Sequence, residues 1–198
     1  LGKLIVCGNP RLDLLKPRKT KISNSSPILI MSRFSRSNPF AISRKKALEN
    51  SIRKFRFNGE DAEFYTNYLN HMHRVFDDFY PMINDLAKKF TNEQIIVRPH
   101  PSESFEKWEE LSNKYTNLIV DGSGTAEEQA SLSKIAIHNG CTTGLEAALI
   151  GCPVFSYMPF GPNDIYDLPL PNIVSTQFYN KDNLFSAIEN FDYENFNS

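Results

Sequence analysis

A histidine held between two prolines follows a short apolar run near the middle of the chain. In residues 95–111, IIVRPHPSESFEKWEEL, three apolar residues lead into Arg98, and His100 then lies between Pro99 and Pro101. Proline restricts its own backbone and that of the preceding residue, so His100 is constrained from both sides. His100 could donate to a phosphate oxygen, and Arg98 could add charge or simply hold the loop. This stretch is a candidate anion site, with structural roles for both side chains as the alternative.

A second candidate lies in residues 135–154, IAIHNGCTTGLEAALIGCPV. An apolar run ends at His138, Asn139 and the two residues after it turn the chain, and Thr142 or Thr143 could cap a helix. The amides and hydroxyl groups at such a helix start favour an anion, because the helix dipole is positive there. The pattern therefore predicts a phosphate site.

Gly144 and Glu146 lie just inside this predicted helix. Gly144 would let a ligand approach the backbone closely. Glu146 has capping-box spacing from Thr143, and it could instead accept hydrogen bonds from ribose hydroxyl groups. Helix capping alone would also explain Thr142, Thr143 and Glu146. The position of the loop relative to His100 favours phosphate binding.

Short apolar runs alternate with helical patterns along the chain, which predicts the scaffold for these residues. Predicted strands cover residues 4–7, 27–32, 94–98, 117–121, 135–138, 153–156 and 172–174. Predicted helices cover residues 42–57, 60–90, 103–114, 125–132, 143–151 and 181–191, and Pro81 should kink or split the second. The alternation is typical of an α/β fold, a Rossmann-like parallel sheet with helices on both faces.

Open sheets of this kind bind ligands beyond the carboxyl ends of their strands, so the loops after the strands should share one functional edge. The additional candidates in these loops are Arg33, Arg36, Gly122, Ser123, Tyr157 and Asn163. A solvated basic loop is the alternative for the two arginines, and a plain turn is the alternative for Gly122 and Ser123. Tyr157 and Asn163 belong to a loop that could close over a ligand.

Composition places the chain among ordinary globular proteins. It has 198 residues, 40% hydrophobic and 23% charged, which fits one large or two small domains. A net charge of −1 gives no reason to expect nucleic acid as a partner. Neither a membrane-spanning run nor a signal peptide is visible. The odd number of cysteines, Cys7, Cys141 and Cys152, favours free thiols in a reducing cytosol.

Basic residues concentrate in the first long helical pattern and have two interpretations. They are Arg44, Lys45, Lys46, Arg53, Lys54 and Arg56. A solvated helix face is the simpler interpretation, and contact with an anionic membrane surface is the alternative. His71 and His73 are two positions apart and diverge on a helix, so we expect packing or surface roles for them.

The two motifs together resemble a known group of enzymes. RPHPSE followed by a tryptophan, and then HNGCTTGLEAALIGCPVFSY, resemble the carboxyl-terminal half of bacterial surface-carbohydrate biosynthesis proteins. More broadly they are similar to GT-B glycosyltransferases that use cytidine-activated donors, such as the sialyl-, polysialyl- and Kdo transferases. CGNPRLDLL and PILIMSRFSRSNPF resemble the segment leading into the second domain and that domain's first strand and donor-facing loop. The resemblance covers nearly all of residues 4–160.

The resemblance implies donor-site roles for the candidates. His100 with Pro101, and Thr142 with Thr143, would hold the phosphate of CMP, and His100 would be the catalytic residue that stabilises the leaving group. In this interpretation the same donor site would also contain Arg98, Asn139, Gly144 and Glu146, the backbone of Gly122 and Ser123 near the cytosine edge, and Arg33 and Arg36 near the carboxylate of a nonulosonic sugar. No metal or other cofactor is implied.

The implied function is transfer of a sugar from CMP-Kdo or a CMP-sialic-acid-like donor to a glycan or lipid-linked glycan during capsule or lipopolysaccharide synthesis. The implied location is the cytoplasm, and peripheral contact with the inner face of the cytoplasmic membrane stays open. Residues 1–26 would be an interdomain segment and residues 27–198 the donor domain. The acceptor domain would be missing, so we expect no activity from residues 1–198 alone.

Three alternatives stay open at this point. A UDP-GlcNAc 2-epimerase-like enzyme shares this architecture, although the His-Pro motif argues against it. A CDP-alditol phosphotransferase would carry a similar pair of motifs. A non-catalytic nucleotide-binding module is the third, and nothing in the sequence excludes it.

Overall fold

Short apolar segments form the parallel sheet at the centre of the molecule. The computed structural model describes residues 9–18, 21–163 and 165–196, and within these ranges the chain has six strands. They are β1 Ile28–Met31, β2 Ile95–Arg98, β3 Leu118–Val120, β4 Ile135–His138, β5 Val154–Tyr157 and β6 Thr176–Phe178. Their order is β3-β2-β1-β4-β5-β6, and every pair is parallel. The predicted α/β class is thus confirmed. The strand predicted over residues 4–7 lies outside the described residues.

Helices connect the strands and cover both faces of the sheet. In the described part of the chain they are α1 Pro10–Asp13, α2 Arg44–Phe55, α3 Gly59–Lys89, α4 Glu106–Ser112, α5 Ala126–Leu132, α6 Thr142–Leu149, α7 Pro169–Ile173, α8 Lys181–Glu189 and α9 Tyr193–Phe196. One sheet face packs on α3, α4 and α8, and the other packs on α5 and α6. Adjacent β1 residues divide between these layers, since Ile30 joins the first core and Leu29 the second.

The long helix α3 runs through Pro81 without a break. Proline removes one backbone hydrogen bond, which predicted a kink or a split at this point. The flanking residues Phe79, Met82 and Ile83 are almost fully buried in the larger core. Packing of this apolar face keeps the helix continuous, because most helix stability in proteins comes from tertiary contacts.

The predicted strand at residues 172–174 is wrong. Asn172 and Ile173 belong to α7 and Val174 is its C-cap, and the edge strand β6 follows at Thr176–Phe178, paired with β5. Pro169 occupies the start of α7, where its fixed φ suits a helix and its missing N–H costs nothing. Residues 168–174 therefore form a helical turn, and most of their apolar side chains stay exposed.

The order in which the chain adds strands to the sheet reverses between β1 and β4. The chain runs from β1 outward through β2 to β3, then returns to β4 on the other side of β1. Loops leaving the carboxyl ends of these two strands diverge and open a crevice, the usual ligand position in such folds. The loops carrying Arg33, His100 and Asn139 all leave this edge.

Candidate functional site

A cavity of about 390 Å³ lies at this edge and unites the two sequence motifs. It is called the His100 cavity below. The loop after β2 and the start of α6 contribute most of its polar lining, and α1 and the start of α5 complete it. The lining residues are Arg11, Met31, Ser32, Arg98, Pro99, His100, Pro101, Gly124, Thr125, Ala126, Cys141, Thr142, Thr143 and Glu146. The imidazole and the helix start therefore face one space.

His100 is exposed, and backbone contacts fix its position. Its Nδ1 accepts a hydrogen bond from the amide of Ser102 at 3.1 Å, and its carbonyl accepts from the amide of Glu103 at 2.8 Å. With Nδ1 acting as an acceptor, the ring proton of the neutral imidazole is on Nε2. Nε2–H is thus available as a donor to a ligand.

Glu103 anchors the His100 loop from inside the protein. Its buried carboxylate accepts hydrogen bonds from the Ser32 hydroxyl, the Phe34 amide and, at 3.2 Å, Nε1 of Trp108. Burial raises the pKa of Glu103, and these hydrogen bonds partly oppose the rise. Because Ser32 and Phe34 belong to the loop after β1, Glu103 joins the loop after β2 to one of the two loops that frame the crevice.

Arg98 holds a neighbouring loop. Its guanidinium donates to the carbonyl oxygens of Ser123 at 2.7 Å and Gly124 at 2.8 Å. The Ser123 amide donates to Oδ1 of Asp121 at 2.8 Å, and a Cβ on Gly122 would lie 3.1 Å from the Phe105 ring. Gly122 and Ser123 lie outside the His100 cavity, and their backbone serves this turn. Arg98 lines the cavity, but both terminal nitrogens of its guanidinium already donate to carbonyl oxygens.

The start of α6 presents backbone amides and two threonines to the cavity. Cys141 is the N-cap and makes no side-chain capping bond, so the predicted capping box between Thr143 and Glu146 does not form. Thr143 Oγ1 instead lies 2.9 Å from the Cys141 sulfur. The first amides of a helix lack intrahelical acceptors, so those of Thr142 and Thr143 suit an anion, whereas the Gly144 amide already donates to the Cys141 carbonyl at 2.9 Å.

Gly144 accommodates a buried histidine. A Cβ at this position would lie 2.5 Å from Nε2 of His138. His138 is fully buried, and its Nδ1 accepts from the amides of Gly140 at 2.8 Å and Cys141 at 3.1 Å. Burial lowers the pKa of His138 to about 3. Gly144 lies outside the cavity lining, and its contact with this neutral imidazole shapes the turn that starts α6.

Arg11 adds a cation that sequence reasoning missed. Its Nε lies 2.9 Å from Oε1 of Glu146, and its Nη2 lies 3.4 Å from Oε2. Arg11 is mostly exposed, whereas the Glu146 side chain is 8% exposed. Burial raises the pKa of Glu146, and Arg11 partly opposes the rise. Arg11 comes from α1, far away in sequence, so no local pattern could have indicated this contact.

Arg33 and Arg36 line a different cavity, of about 380 Å³, on the α2–α3 side. Arg36 donates to the Ser51 hydroxyl at 2.8 Å, and Nη2 of Arg33 lies 3.7 Å from Oδ1 of Asp167. The structure therefore does not bring these arginines into the His100 cavity. Asn139 also lies outside it and lines a small void beside His71.

Tyr157 and Asn163 both make internal contacts. The Tyr157 hydroxyl donates to Oδ1 of Asp78 at 2.6 Å, and burial raises its pKa. Oδ1 of Asn163 accepts from the amides of Ile165 at 3.0 Å and Tyr166 at 3.2 Å, which holds the turn after β5. Neither residue lines the His100 cavity.

Comparisons with protein-family models, with curated proteins and with solved structures found no match for this chain. In the part of the chain that the structure describes, no helix combines the length and the apolar character needed to cross a membrane. The contacts around the cavity are therefore the basis for assigning a function.

Proposed function

We propose that this chain is the donor-binding domain of a GT-B-type glycosyltransferase that uses a cytidine-activated sugar. The donor would be CMP-Kdo or a CMP-sialic-acid-like nucleotide, used in the cytoplasm for surface polysaccharide synthesis. One observation carries the proposal: His100 and the Thr142–Thr143 helix start line the same cavity. These are the motifs that resemble the CMP-binding motifs of the transferases.

The cavity has the chemistry needed to hold a phosphate. His100 supplies the Nε2–H donor, the first turn of α6 supplies amides, and Thr142 and Thr143 supply hydroxyl groups. Charge-assisted hydrogen bonds to an anion are about twice as strong as neutral ones. Arg11 adds positive charge, partly offset by Glu146.

This arrangement would assist the departure of CMP. When the bond between the anomeric carbon and the phosphate oxygen breaks, its electron pair stays on the phosphate, which becomes a dianion. Donors fixed in advance around that oxygen stabilise the developing charge without having to reorganise. His100 and the α6 amides are the groups positioned for this role, and the acceptor hydroxyl would come from a glycan bound by another domain.

Calorimetric titration with nucleotides tests the proposal directly. We expect CMP to bind more tightly than UMP and inorganic phosphate, and His100→Ala and Thr143→Val each to weaken CMP binding about tenfold, the effect of losing about 1.4 kcal/mol. Thr91→Val makes the same substitution in the turn before β2, at the opposite edge of the sheet, and should leave binding unchanged.

The nucleotide series also separates the alternatives. Equal or tighter binding of UMP would favour an epimerase-like enzyme, and much tighter binding of CDP-glycerol would favour an alditol phosphotransferase. Absence of nucleotide binding by the folded domain, or unchanged CMP affinity in His100→Ala and Thr143→Val, would contradict the proposal.

A further inference from the structure

A small void beside Asn139 is surrounded by polar atoms that lack hydrogen-bond partners. The void measures about 10 Å³, and its polar walls are His71 from α3, Asn139 after β4 and Asp167 after β5. It is called the Asn139 void below. Its size matches the room that one oxygen atom needs, such as that of a water molecule or a hydroxyl group.

Asn139 is 3% exposed, and both Oδ1 and Nδ2 are without a hydrogen-bond partner in the described structure. Nε2 of His71 is likewise unpartnered, and this side chain is 10% exposed. Buried polar groups in proteins are almost always hydrogen-bonded, so three such atoms around one void call for an explanation. A ligand atom in the void would satisfy them.

Oδ1 of Asp167 also lies farther from its polar neighbours than a hydrogen bond allows. Its Oδ1 lies 3.6 Å from Nε2 of His71 and 3.7 Å from Nη2 of Arg33, and both exceed normal hydrogen-bond lengths. Its Oδ2 accepts from the Asn163 amide at 3.0 Å, which holds the carboxylate in place. Asp167 is therefore held beside the void, while its Oδ1 stays beyond hydrogen-bond distance of His71 and Arg33.

The chemistry of these groups selects the kind of ligand. The carboxylate of Asp167 repels an anion. The Arg33 guanidinium lies outside the void lining but 3.7 Å from Oδ1 of Asp167, and it partly offsets the attraction of that carboxylate for a cation. The amide of Asn139 offers one acceptor and a donor group, and a hydroxyl both donates and accepts. A neutral hydroxyl group thus fits the void better than a phosphate or a metal ion.

A larger cavity has two walls in common with the void and is large enough for the rest of such a ligand. It measures about 420 Å³ and shares Met158 and Asp167 with the void as walls. Ile173 and Pro169 give it apolar surface, and Gln177 adds an amide. A sugar ring has this mixture of apolar faces and hydroxyl edges.

We propose that the Asn139 void and this larger cavity bind a neutral saccharide, with one ring hydroxyl seated between Asn139, His71 and Asp167. The site shares no lining residue with the His100 cavity. Asn139 and Cys141 lie on opposite sides of the same turn, one lining each site. The inference is thus independent of nucleotide binding at His100.

The Asn139 side-chain amide provides the probe. In ¹⁵N–¹H spectra of the labelled domain, titration with glucose, galactose and mannose should shift this signal with at least one sugar and saturate. Asn139→Leu should remove the signal and weaken sugar binding at least tenfold. Without sugar it should unfold at the same or a higher temperature, because an apolar group of similar shape removes unsatisfied buried atoms.

Two further variants test whether the effect on sugar binding is specific to this site. His71→Phe keeps a ring against Tyr166, whose centroid lies 5.4 Å away, removes Nε2, and should also weaken sugar binding. Asn92→Leu makes the same change as Asn139→Leu in the turn before β2, where Asn92 is exposed, and should bind sugar normally.

A void that holds only a structural water gives different results. The Asn139 signal would then not move with any of the three sugars, or Asn139→Leu would lower the unfolding temperature sharply, and either result would overturn the proposal. Undiminished sugar binding in both Asn139→Leu and His71→Phe would overturn it as well. Nucleotide titrations measure binding at the His100 cavity independently of sugar binding. A negative result for one proposal is therefore distinguishable from a negative result for the other.

Discussion

The Ser32 hydroxyl lies 2.8 and 2.7 Å from the two carboxylate oxygens of Glu103, in a fully buried position. Ser32 follows β1, and Glu103 belongs to the loop that carries His100. This contact joins the loops that follow the neighbouring strands β1 and β2, at the edge formed by the carboxyl ends of the strands. The position of His100 therefore depends on a carboxylate that does not line the cavity.

Removing the Glu103 carboxylate should destabilise the domain strongly. Glu103→Ala leaves the Phe34 amide and the Trp108 indole N–H buried without acceptors, which costs about 3 kcal/mol of unfolding free energy. Urea unfolding followed by tryptophan fluorescence measures this loss. A loss close to zero would show that Glu103 does not anchor the loop.

The stabilising effect of Glu103 should decrease as pH rises. Burial raises the pKa of Glu103 above its usual 4.5, so the folded state holds the proton over a range in which the unfolded state has lost it. The stability advantage of the wild type over Glu103→Gln should be largest below pH 4.5 and shrink as pH rises through the folded-state pKa. Urea unfolding at a series of pH values tests the sign, and a growing advantage would contradict it.

Gly144→Ala should destabilise the domain, against the usual trend. Alanine in a helix normally gains about 1 kcal/mol over glycine, but here its Cβ would lie 2.5 Å from the buried His138 ring. We expect a loss of about 1–3 kcal/mol from this overpacking. In a His138→Ala background the clash disappears, so the same substitution should cost little. A double-mutant cycle measures this coupling, and equal costs in both backgrounds would rule out the contact as the cause.

His138 should make stability depend on pH in the opposite direction from Glu103. Its folded-state pKa is lowered from 6.5 to about 3. Between these two values the unfolded state binds a proton at His138 and the folded state does not. The wild type should lose up to about 1.4 kcal/mol per pH unit relative to His138→Gln as pH falls below 6.5. A constant difference from pH 7 down to pH 4.5 would mean that His138 is not held neutral.

Local patterns were enough to predict five of the six described strands and the two motifs, but they did not reveal contacts between residues far apart in sequence. β4 and the turn after it were visible because an apolar run meets Asn and Gly at its end. Arg11 and Glu146 are 135 positions apart and Ser32 and Glu103 are 71 apart, so neither pair leaves a periodic signal. The role of Gly144 depends on the buried His138 ring, which sequence spacing does not reveal.

Residues 172–174 show a second limit of sequence reasoning. The short segment Asn172-Ile173-Val174 fits a strand and a short helix equally well, and Pro169 with Pro171 settles the choice only when the proline positions are recognised as a helix start. Asn139 shows a third limit. Cys141 and Thr142, two and three positions later, line the His100 cavity, but the turn directs Asn139 to the other side.

Neutralising Glu146 should strengthen anion binding at the His100 cavity. Glu146 places a negative charge on the cavity wall and pairs with Arg11 at 2.9 Å, so Glu146→Gln removes a repulsive charge and releases a guanidinium. A partly exposed ion pair contributes up to about 1 kcal/mol, so CMP and inorganic phosphate should both bind about two- to fivefold more tightly. Glu127→Gln is the matched control, because Glu127 lies 4.0 Å from Arg11 and outside the cavity lining, and its effect should be smaller. If Glu146 instead accepts a ribose hydroxyl, Glu146→Gln would weaken CMP binding and leave inorganic phosphate unaffected, and calorimetry with the two ligands separates these roles.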